Sequence, residues 1–382
     1  MKKLKFHTAE NNGKSKCNVM HVGKQSVICP KLEVHGTSMH KITHTTYLGD
    51  IVAADSKNDI NIQSRVGKGL GNITRIMNML DKVTLGSHYF KTAMLLRESL
   101  FLSALLTNSE SWHGVTTTNI NQLESIDKLL LRKILKTPIS TPIEAMYLEL
   151  GILRIGTVIK ARRINFLHYL LNRKETEMIS QIFRVQWNHP NKNDWTILVK
   201  QDLCDFNFEV DVSSIKRISE SSFKNLVKKK AYDYEFNQLL EMKKTHSKMN
   251  DLVYSKLEIQ NYLKLENLNK NEAQTLFRFR TRMAKFGENF RGNNSQILCP
   301  LCKTHLDGQR MCFDNCPVVK ANIAICGSYN DIFNTVSIPS DIVQTLVRIE
   351  KLREEYENKS QNEANSTSCL GASDNRADCQ NS

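Results

Sequence analysis

The sequence has no long apolar run, and this absence argues against a membrane-spanning helix. No stretch approaches the roughly 20 consecutive apolar residues that a membrane-spanning helix requires. Residues 1–15 are charged and polar without an apolar core, so a secretory signal is not expected. Ten unevenly placed cysteines fit a reducing compartment better than a disulfide scaffold. We therefore expect an intracellular protein, nuclear or cytoplasmic, with no membrane partner.

The motifs of common enzyme active sites are absent as well. Residues 67–71 are glycine-rich, but they lie in a helical pattern and lack the frame of a phosphate-binding loop. Asp50, Asp55 and Asp59 surround a turn, where acidic residues commonly serve as turn formers and helix caps. No zinc-protease motif occurs. The sequence alone therefore shows no self-contained active site.

Acidic residues are outnumbered by basic ones. The chain of 382 residues has 53 Lys+Arg against 39 Asp+Glu, a formal net charge of +14. Nucleic acid is the polyanion that most often accompanies such an excess, because cationic side chains release its counterions. The alternative is a surface whose charge only keeps the protein soluble. The 40% hydrophobic content is enough for a buried core.

The hydrophobic pattern predicts a mainly α fold with a small N-terminal antiparallel β unit. Residues 17–22 alternate, and residues 45–53 are rich in β-formers. From Asp59 onwards the period is helical. We predict helices over 59–80, 88–106, 119–135, 155–172, 194–203, most of 216–248 and 271–285. A change of composition near Val210 predicts a domain boundary, and the polar tail beyond Glu357 is expected to be disordered.

Four cysteines have the spacing of a zinc site. A C-x2-C pair is followed after nine residues by a C-x3-C pair, and two such pairs can complete a tetrahedron around Zn²⁺. The predicted ligands of this structural zinc are Cys299, Cys302, Cys312 and Cys316. His305 could replace Cys312, and Cys326 lies within reach along the chain. Free buried thiols are the alternative.

Residues 277–282 alternate aromatic and basic side chains. Arg278, Arg280 and Arg282 could contact phosphate while the rings of Phe277 and Phe279 stack on bases. The alternative is an amphipathic helix whose rings face the core.

Several stretches together resemble the part of a LINE-type, non-LTR retrotransposon reverse transcriptase that follows the polymerase active site. They occur in the order of that family and span residues 14–352. The stretches are Lys14–His21, Tyr47–Asp50, Arg97–Leu100, Leu106–Trp112, Leu129–Lys133, Tyr147–Gly151 and the cysteine-rich module.

The resemblance implies a role for each stretch. Lys16, or alternatively Lys14, matches the last palm motif, whose lysine approaches the phosphates of the incoming nucleotide. The hairpin Tyr47-Leu48-Gly49 matches the primer grip, and residues 59–135 match the thumb. The cysteine module matches the C-terminal zinc knuckle, in which a histidine would stand at Cys312 or Met311.

The resemblance also implies a domain order and nucleic-acid partners: RNA, RNA:DNA hybrid or DNA. The expected segments are a palm remnant (1–55), a thumb-like bundle (56–150), a helical extension (151–210), a basic helical region (211–295), the zinc module (296–330), a C-terminal helix (331–358) and the tail (359–382). The basic residues expected to bind nucleic acid are Arg97, Arg132, Lys133, Lys160, Arg162, Arg163, Arg278, Arg280 and Arg282.

One element of that family is missing. Polymerase chemistry needs an Asp-Asp pair to hold two Mg²⁺ ions, and this chain contains no such pair. The resemblance therefore implies a truncated RNA-directed DNA polymerase that binds nucleic acid without polymerising, with Mg²⁺ used only in the complete enzyme. The alternatives are a stand-alone zinc-dependent nucleic-acid-binding protein and a helical protein-interaction module with a structural zinc.

Overall fold

The computed structural model describes residues 18–22, 32–34, 37–191, 194–208, 212–290, 297–325, 327–333 and 338–370. This part of the chain is mainly helical, as the hydrophobic pattern predicts. None of its helices combines the length and the apolar character needed to span a bilayer.

Six short strands form three two-stranded sheets within the described residues. The strands are β1 (Asn18–Val19), β2 (Glu33–Val34), β3 (Thr37–Ser38), β4 (His40–Lys41), β5 (His44–Tyr47) and β6 (Asp50–Ala53). The pairs β2–β3 and β5–β6 are antiparallel, as predicted. The pair β1–β4 is parallel, which differs from the prediction. Parallel strands need a crossover connection, and β2 and β3 lie between β1 and β4 in the sequence.

The described residues contain a counterpart of every predicted helix, together with further helices that the hydrophobic pattern did not predict. They are α1 (Asp59–Leu80), α2 (Gly86–Leu96), α3 (Ser103–Leu105), α4 (Thr117–Leu135), α5 (Ile143–Leu150), α6 (Ile155–Leu171), α7 (Met178–Asn188), α8 (Trp195–Asp205), α9 (Val212–Arg217), α10 (Glu220–Lys244), α11 (Lys270–Arg280), α12 (Gly287–Phe290), α13 (Gln309–Asn315), α14 (Pro317–Asn322) and α15 (Ser340–Leu370). Short 3₁₀ helices lie at Ser109–Ser111, Ser247–Met249, Asn261–Lys264 and Tyr329–Phe333.

Three predicted helices differ from the observed ones in their extent. The helix expected over 88–106 contains a π-helical turn at Arg97–Leu102, where the hydroxyls of Ser99 and Ser103 bond to carbonyls one turn back. α11 ends at Arg280 instead of residue 285, and Arg282 has a positive φ of 54°. α15 continues beyond residue 358 to Leu370, and residues 371–382 of the predicted tail lie outside the described residues.

The chain divides into two compact units, and neither is one continuous segment. Unit 1 comprises Met1–Asn78, Met94–Leu130 and Leu153–Glu235, and unit 2 comprises Met79–Ala93, Leu131–Ile152 and Phe236–Ser382. The boundary predicted near Val210 therefore lies inside unit 1. A cluster on α6, α7, α8 and α10, which includes Leu167, Phe183 and Phe223, forms a core within unit 1.

Unit 2 has its own core around α5. All residues from Glu144 to Leu150 are buried, and the helix ends at Gly151, whose φ is 63°. Leu150 forms an isolated antiparallel bridge with Ile259, and an added Cβ at Gly151 would lie 2.0 Å from the backbone carbon of Glu258. Only glycine fits this left-handed position so close to another chain segment.

Candidate functional site

The predicted zinc ligands lie on a tight hairpin and two short helices of unit 2. Leu298 and Leu306 form an antiparallel bridge, and the N–H of Cys299 donates to the carbonyl of His305 at 2.7 Å. Cys302 stands in the turn of this hairpin. Cys312 lies on α13, and Cys316 immediately precedes α14. Cys299 and Cys316, which are 17 residues apart in the sequence, therefore lie close together in the structure.

The thiols form a compact cluster. The sulfur atoms of Cys299, Cys302 and Cys316 lie within 4.8 Å of one another. Tetrahedral Zn²⁺ bound by thiolates at about 2.3 Å requires sulfur atoms about 3.8 Å apart, so this spacing suits a metal. Neither Cys312 nor His305 belongs to this group of three, but the Cys312 thiol is hydrogen-bonded to Cys299.

The charge state of Cys299 suits a metal ligand. The hydrogen bond with Cys312 lowers the pKa of Cys299 to about 5, and the backbone N–H groups of Leu301 and Cys302 act in the same direction. The thiolate is the form that binds metal. The pKa of Cys302 is also lowered, whereas burial raises the pKa of Cys316 to about 11 and the hydrogen bond with Cys299 raises that of Cys312, so only part of the cluster favours the thiolate. Cys326, the further alternative ligand, lies outside the described residues.

Two side chains that the sequence did not single out fix the hairpin within unit 2. Asp307 accepts from both terminal nitrogens of Arg353 on α15, at 2.8 and 3.1 Å, and from the N–H of Gly287 at 2.7 Å. Gln309 donates to the carbonyl of Phe279 at 3.0 Å and to Tyr329 Oη at 2.7 Å. No local pattern signals these residues, because their partners are distant in sequence.

The predicted primer-grip hairpin lies in unit 1, between β5 and β6. Its tip projects Tyr47 and Leu48 into solvent, with exposures of 66% and 77%. The backbone beneath them is held firmly: Arg65 donates to the carbonyl of Gly49 at 2.8 Å, and Asn108 donates to that of Leu48 at 3.2 Å. The hairpin therefore presents two apolar side chains on a fixed turn. Lys16 and its alternative Lys14 lie outside the described residues.

The carboxylate of Asp50 links Arg65 and Asn108, the two side chains that support the hairpin. It accepts from Arg65 at 2.7 Å, from Asn108 at 2.7 Å and from Asn61 at 3.1 Å. Burial raises the pKa of this carboxyl, but the three hydrogen bonds outweigh burial and hold its pKa below the ordinary value of 3.8. The carboxylate thus acts as an anchor for the hairpin.

Three arginines predicted to bind nucleic acid are buried in ion pairs. Each guanidinium is within 3.2 Å of a buried carboxylate, and the pairs are Arg97 with Asp127, Arg163 with Asp202, and Arg280 with Glu149. In this structure their charges are directed at protein carboxylates. A role for them in nucleic-acid binding remains a prediction.

Other predicted basic residues also have protein partners. Arg278 donates to Glu350 through two nitrogens, Lys160 pairs with Asp205, and Arg282 pairs with Asp251 at 2.6 Å. The Arg162 guanidinium donates to the carbonyl of Leu106. These contacts use donor groups that a phosphate would otherwise occupy.

The remaining two predicted residues lie at the end of α4. Lys133 is exposed, whereas Arg132 is half-buried and its Nε has no hydrogen-bond partner among the described residues. Burial lowers the pKa of Arg132. On α11, the rings of Phe277 and Phe279 are buried, which confirms the alternative interpretation that they face the core.

A row of exposed cations lies on α9 and the first half of α10, in unit 1. It consists of Lys216, Arg217, Lys224, Lys228 and Lys229, and we call it the basic row. Glu220 pairs with Lys224 at 2.5 Å, within one helical turn. Unit 1 also holds most of the excess positive charge of the chain. The basic row therefore offers an exposed, positively charged surface to an anion.

The chain was compared with protein-family models, curated proteins and solved structures, and none of them matches it.

Proposed function

We propose that this chain binds RNA or an RNA:DNA hybrid and does not polymerise DNA. The proposal combines the resemblance to the post-catalytic part of LINE-type reverse transcriptases with the charge distribution of unit 1. In it, the hairpin tip at Tyr47 and Leu48 touches the nucleic acid, and the basic row holds its backbone. The absence of an Asp-Asp pair from the sequence supports the lack of polymerase chemistry.

The basic row is the observation that carries the proposal. Its five cations are exposed at the end of α9 and on the second and third turns of α10, and the described salt bridges pair only Lys224 with a carboxylate. When such cations neutralise phosphates, the counterions condensed on the nucleic acid are released, and this release favours binding. By contrast, most of the arginines singled out in the sequence hold the fold through ion pairs, so they contribute less to the proposed surface.

The proposal includes a structural zinc in unit 2. Cys299, Cys302 and Cys316 would supply three thiolates, and Cys312, already hydrogen-bonded to Cys299, would supply the fourth after a small movement. Bound Zn²⁺ would hold the hairpin and the ends of α13 and α14 together. A reducing, intracellular location keeps these thiols available as ligands.

Binding at a range of salt concentrations tests the main proposal. Fluorescence anisotropy would follow a labelled RNA:DNA hybrid, and log affinity should fall linearly with log salt. In the double variant Lys228→Gln/Lys229→Gln, the slope should decrease by about 2, because each phosphate contact contributes about 1. The matched control is Lys264→Gln/Lys320→Gln, which removes two exposed lysines of unit 2 and should leave the slope unchanged.

Salt-independent or undetectable binding would contradict the proposal. A primer-extension assay with Mg²⁺ tests the proposed lack of polymerase activity. The isolated chain should incorporate no nucleotide. Clear incorporation would show that the chain holds a catalytic metal site built without an Asp-Asp pair.

A protein-interaction module with a structural zinc is the second candidate. The observation that favours it is the apolar face of α7, on which Met178, Ile179, Ile182 and Val185 are exposed at helical spacing. Exposed apolar patches commonly mark interaction surfaces. Absence of nucleic-acid binding, together with loss of self-association or aggregation in Ile182→Glu, would favour this candidate.

A further inference from the structure

A cavity of about 830 Å³ opens in unit 1 beside the start of α10. One wall is formed by Arg162, Phe166 and Tyr169 on α6 and by Arg173, which lies two residues beyond the end of that helix. We propose that this cavity binds a single nucleotide, with its base against the wall and its phosphate near Arg162. The inference rests on the proposed function and deepens it, because the basic row continues from the cavity at Lys224.

The wall consists of stacked planar groups. The rings of Phe166 and Tyr169 are nearly parallel, with centroids 5.6 Å apart and an angle of 14° between the planes. The Arg173 guanidinium lies over the Tyr169 ring at 4.2 Å. Unstacked bases pack on aromatic rings and on guanidinium planes in the same manner. The volume is also within the range of small-molecule sites.

Two amide side chains also line the cavity. Asn165 and Asn172 lie among its lining residues. An amide group carries both a donor and an acceptor, and the edge of a nucleobase presents the complementary groups.

The charged side chains that line the cavity sum to +1, with Arg162, Arg173 and Lys224 against Glu110 and Glu220, and Arg173 also pairs with Glu177 at 3.7 Å. Arg162 donates to two neutral oxygens, the carbonyl of Leu106 and, at 3.4 Å, the hydroxyl of Ser109. Within the described ranges, no carboxylate lies at salt-bridge distance from this guanidinium. Lys224 and Glu220, which also line the cavity, pair with each other. Arg162 is thus a half-buried cation without a carboxylate in direct contact, and a phosphate would supply that contact.

The probes for the test are AMP, CMP, GMP and UMP, titrated separately into the full chain. Trp195 packs edge-on against Phe166, with ring centroids 5.6 Å apart, so tryptophan fluorescence reports occupancy of the cavity. We expect saturable binding of at least one mononucleotide. Tyr169→Leu should weaken it about ten-fold, since one stacking contact is worth that much.

The matched control is Tyr356→Leu, which removes a tyrosine of similar exposure, 37% against 43%, on α15 of unit 2. It should leave mononucleotide binding unchanged. A second variant, Asn165→Asp, keeps the size of the side chain but adds a negative charge. Wild type should bind AMP more tightly than adenosine, and this preference should shrink or reverse in Asn165→Asp.

The outcomes separate the cavity from the proposed function. If the hybrid binds with the expected salt dependence but no mononucleotide binds saturably, the cavity proposal is wrong and the proposed function stands. Equal mononucleotide binding by wild type, Tyr169→Leu and Asn165→Asp would place the nucleotide elsewhere and also overturn the cavity. If mononucleotides bind as expected but neither RNA nor hybrid does, the cavity stands and the proposed function fails.

Discussion

Arg280 donates to Glu149 at 3.2 Å inside unit 2, and the two side chains are only 1% and 0% exposed. Arg280 also donates to the carbonyl of Ile332, and the hydroxyl of Tyr254 donates to Glu149 at 2.7 Å. One ion pair therefore connects α11 with α5, the loop near residue 254 and the 3₁₀ helix Tyr329–Phe333. Burial lowers the pKa of Arg280, but Glu149 and the neighbouring tyrosines outweigh it and raise the pKa above its ordinary value.

Replacing this arginine should strongly destabilise unit 2. Arg280→Leu leaves the Glu149 carboxylate buried without its cation, and such changes cost about 3–5 kcal/mol of unfolding free energy. Urea denaturation followed by circular dichroism measures the loss. The control is Arg282→Leu, which removes a cation paired with Asp251 on the surface and should cost less than about 1 kcal/mol. Equal losses would contradict a structural role for the buried pair.

The cysteine cluster predicts one bound zinc per chain. Metal analysis of protein purified under reducing conditions should find it, and Cys299→Ser or Cys316→Ser should lose it. Because zinc binding contributes about 10–16 kcal/mol in small zinc modules, chelation should expose the residues around α13 and α14 to proteolysis.

The chain contains a suitable control for that experiment. Cys204 is an exposed cysteine of unit 1, on α8, and Cys204→Ser should keep the metal and the protease resistance. A metal content that is the same in all variants, or absent from wild type, would leave the thiols as ordinary buried side chains.

The support of the exposed hairpin should depend on pH through Asp50. Its pKa is lowered in the folded state, so its contribution to stability is complete above the ordinary value of 3.8 and is lost as pH falls through the lower folded pKa. Asp50→Asn should be less stable than wild type near pH 7. The difference between the two proteins should shrink below about pH 4, measured as unfolding free energy at each pH. A constant difference down to pH 2 would exclude this carboxylate as the titrating group.

Gly151 should tolerate no side chain. Gly151→Ala places a Cβ 2.0 Å from the Glu258 backbone and also forces alanine into a left-handed conformation, so we expect a loss of about 2–4 kcal/mol. Gly114→Ala is the control, because its φ of 59° is similar but nothing lies within 4 Å of the added carbon. Its cost should be limited to about 1 kcal/mol of backbone strain. Thermal unfolding of both variants separates the clash from the strain.

Local features of the chain could be predicted from the sequence, and long-range pairings could not. Helical periodicity located the start of α1 at Asp59 and that of α6 at Ile155, because the apolar stripe of each helix is a local pattern. The C-x2-C and C-x3-C spacing predicted four ligands. In the structure, the sulfur atoms of three of them lie within 4.8 Å of one another.

The ion-pair partners of the arginines could not be predicted from local patterns. Arg97 finds Asp127 thirty residues away, and Arg280 finds Glu149 at a separation of 131 residues. The sequence does not show whether the partner of a basic residue is a phosphate or a buried carboxylate. The cavity beside α10 was missed for a related reason: its α6 wall has the spacing of an ordinary helical face, and its opposite side comes from residues 218–224.

The division of unit 2 among three stretches of chain has a consequence for synthesis on the ribosome. The apolar residues of α5 leave the ribosome early, but segments that cover them, near Ile259 and along α11, follow more than a hundred residues later. At ordinary elongation rates this delay is on the order of ten seconds. During that interval α5 is an uncovered hydrophobic segment, so the nascent chain should depend on chaperones for longer than a protein of two successive domains.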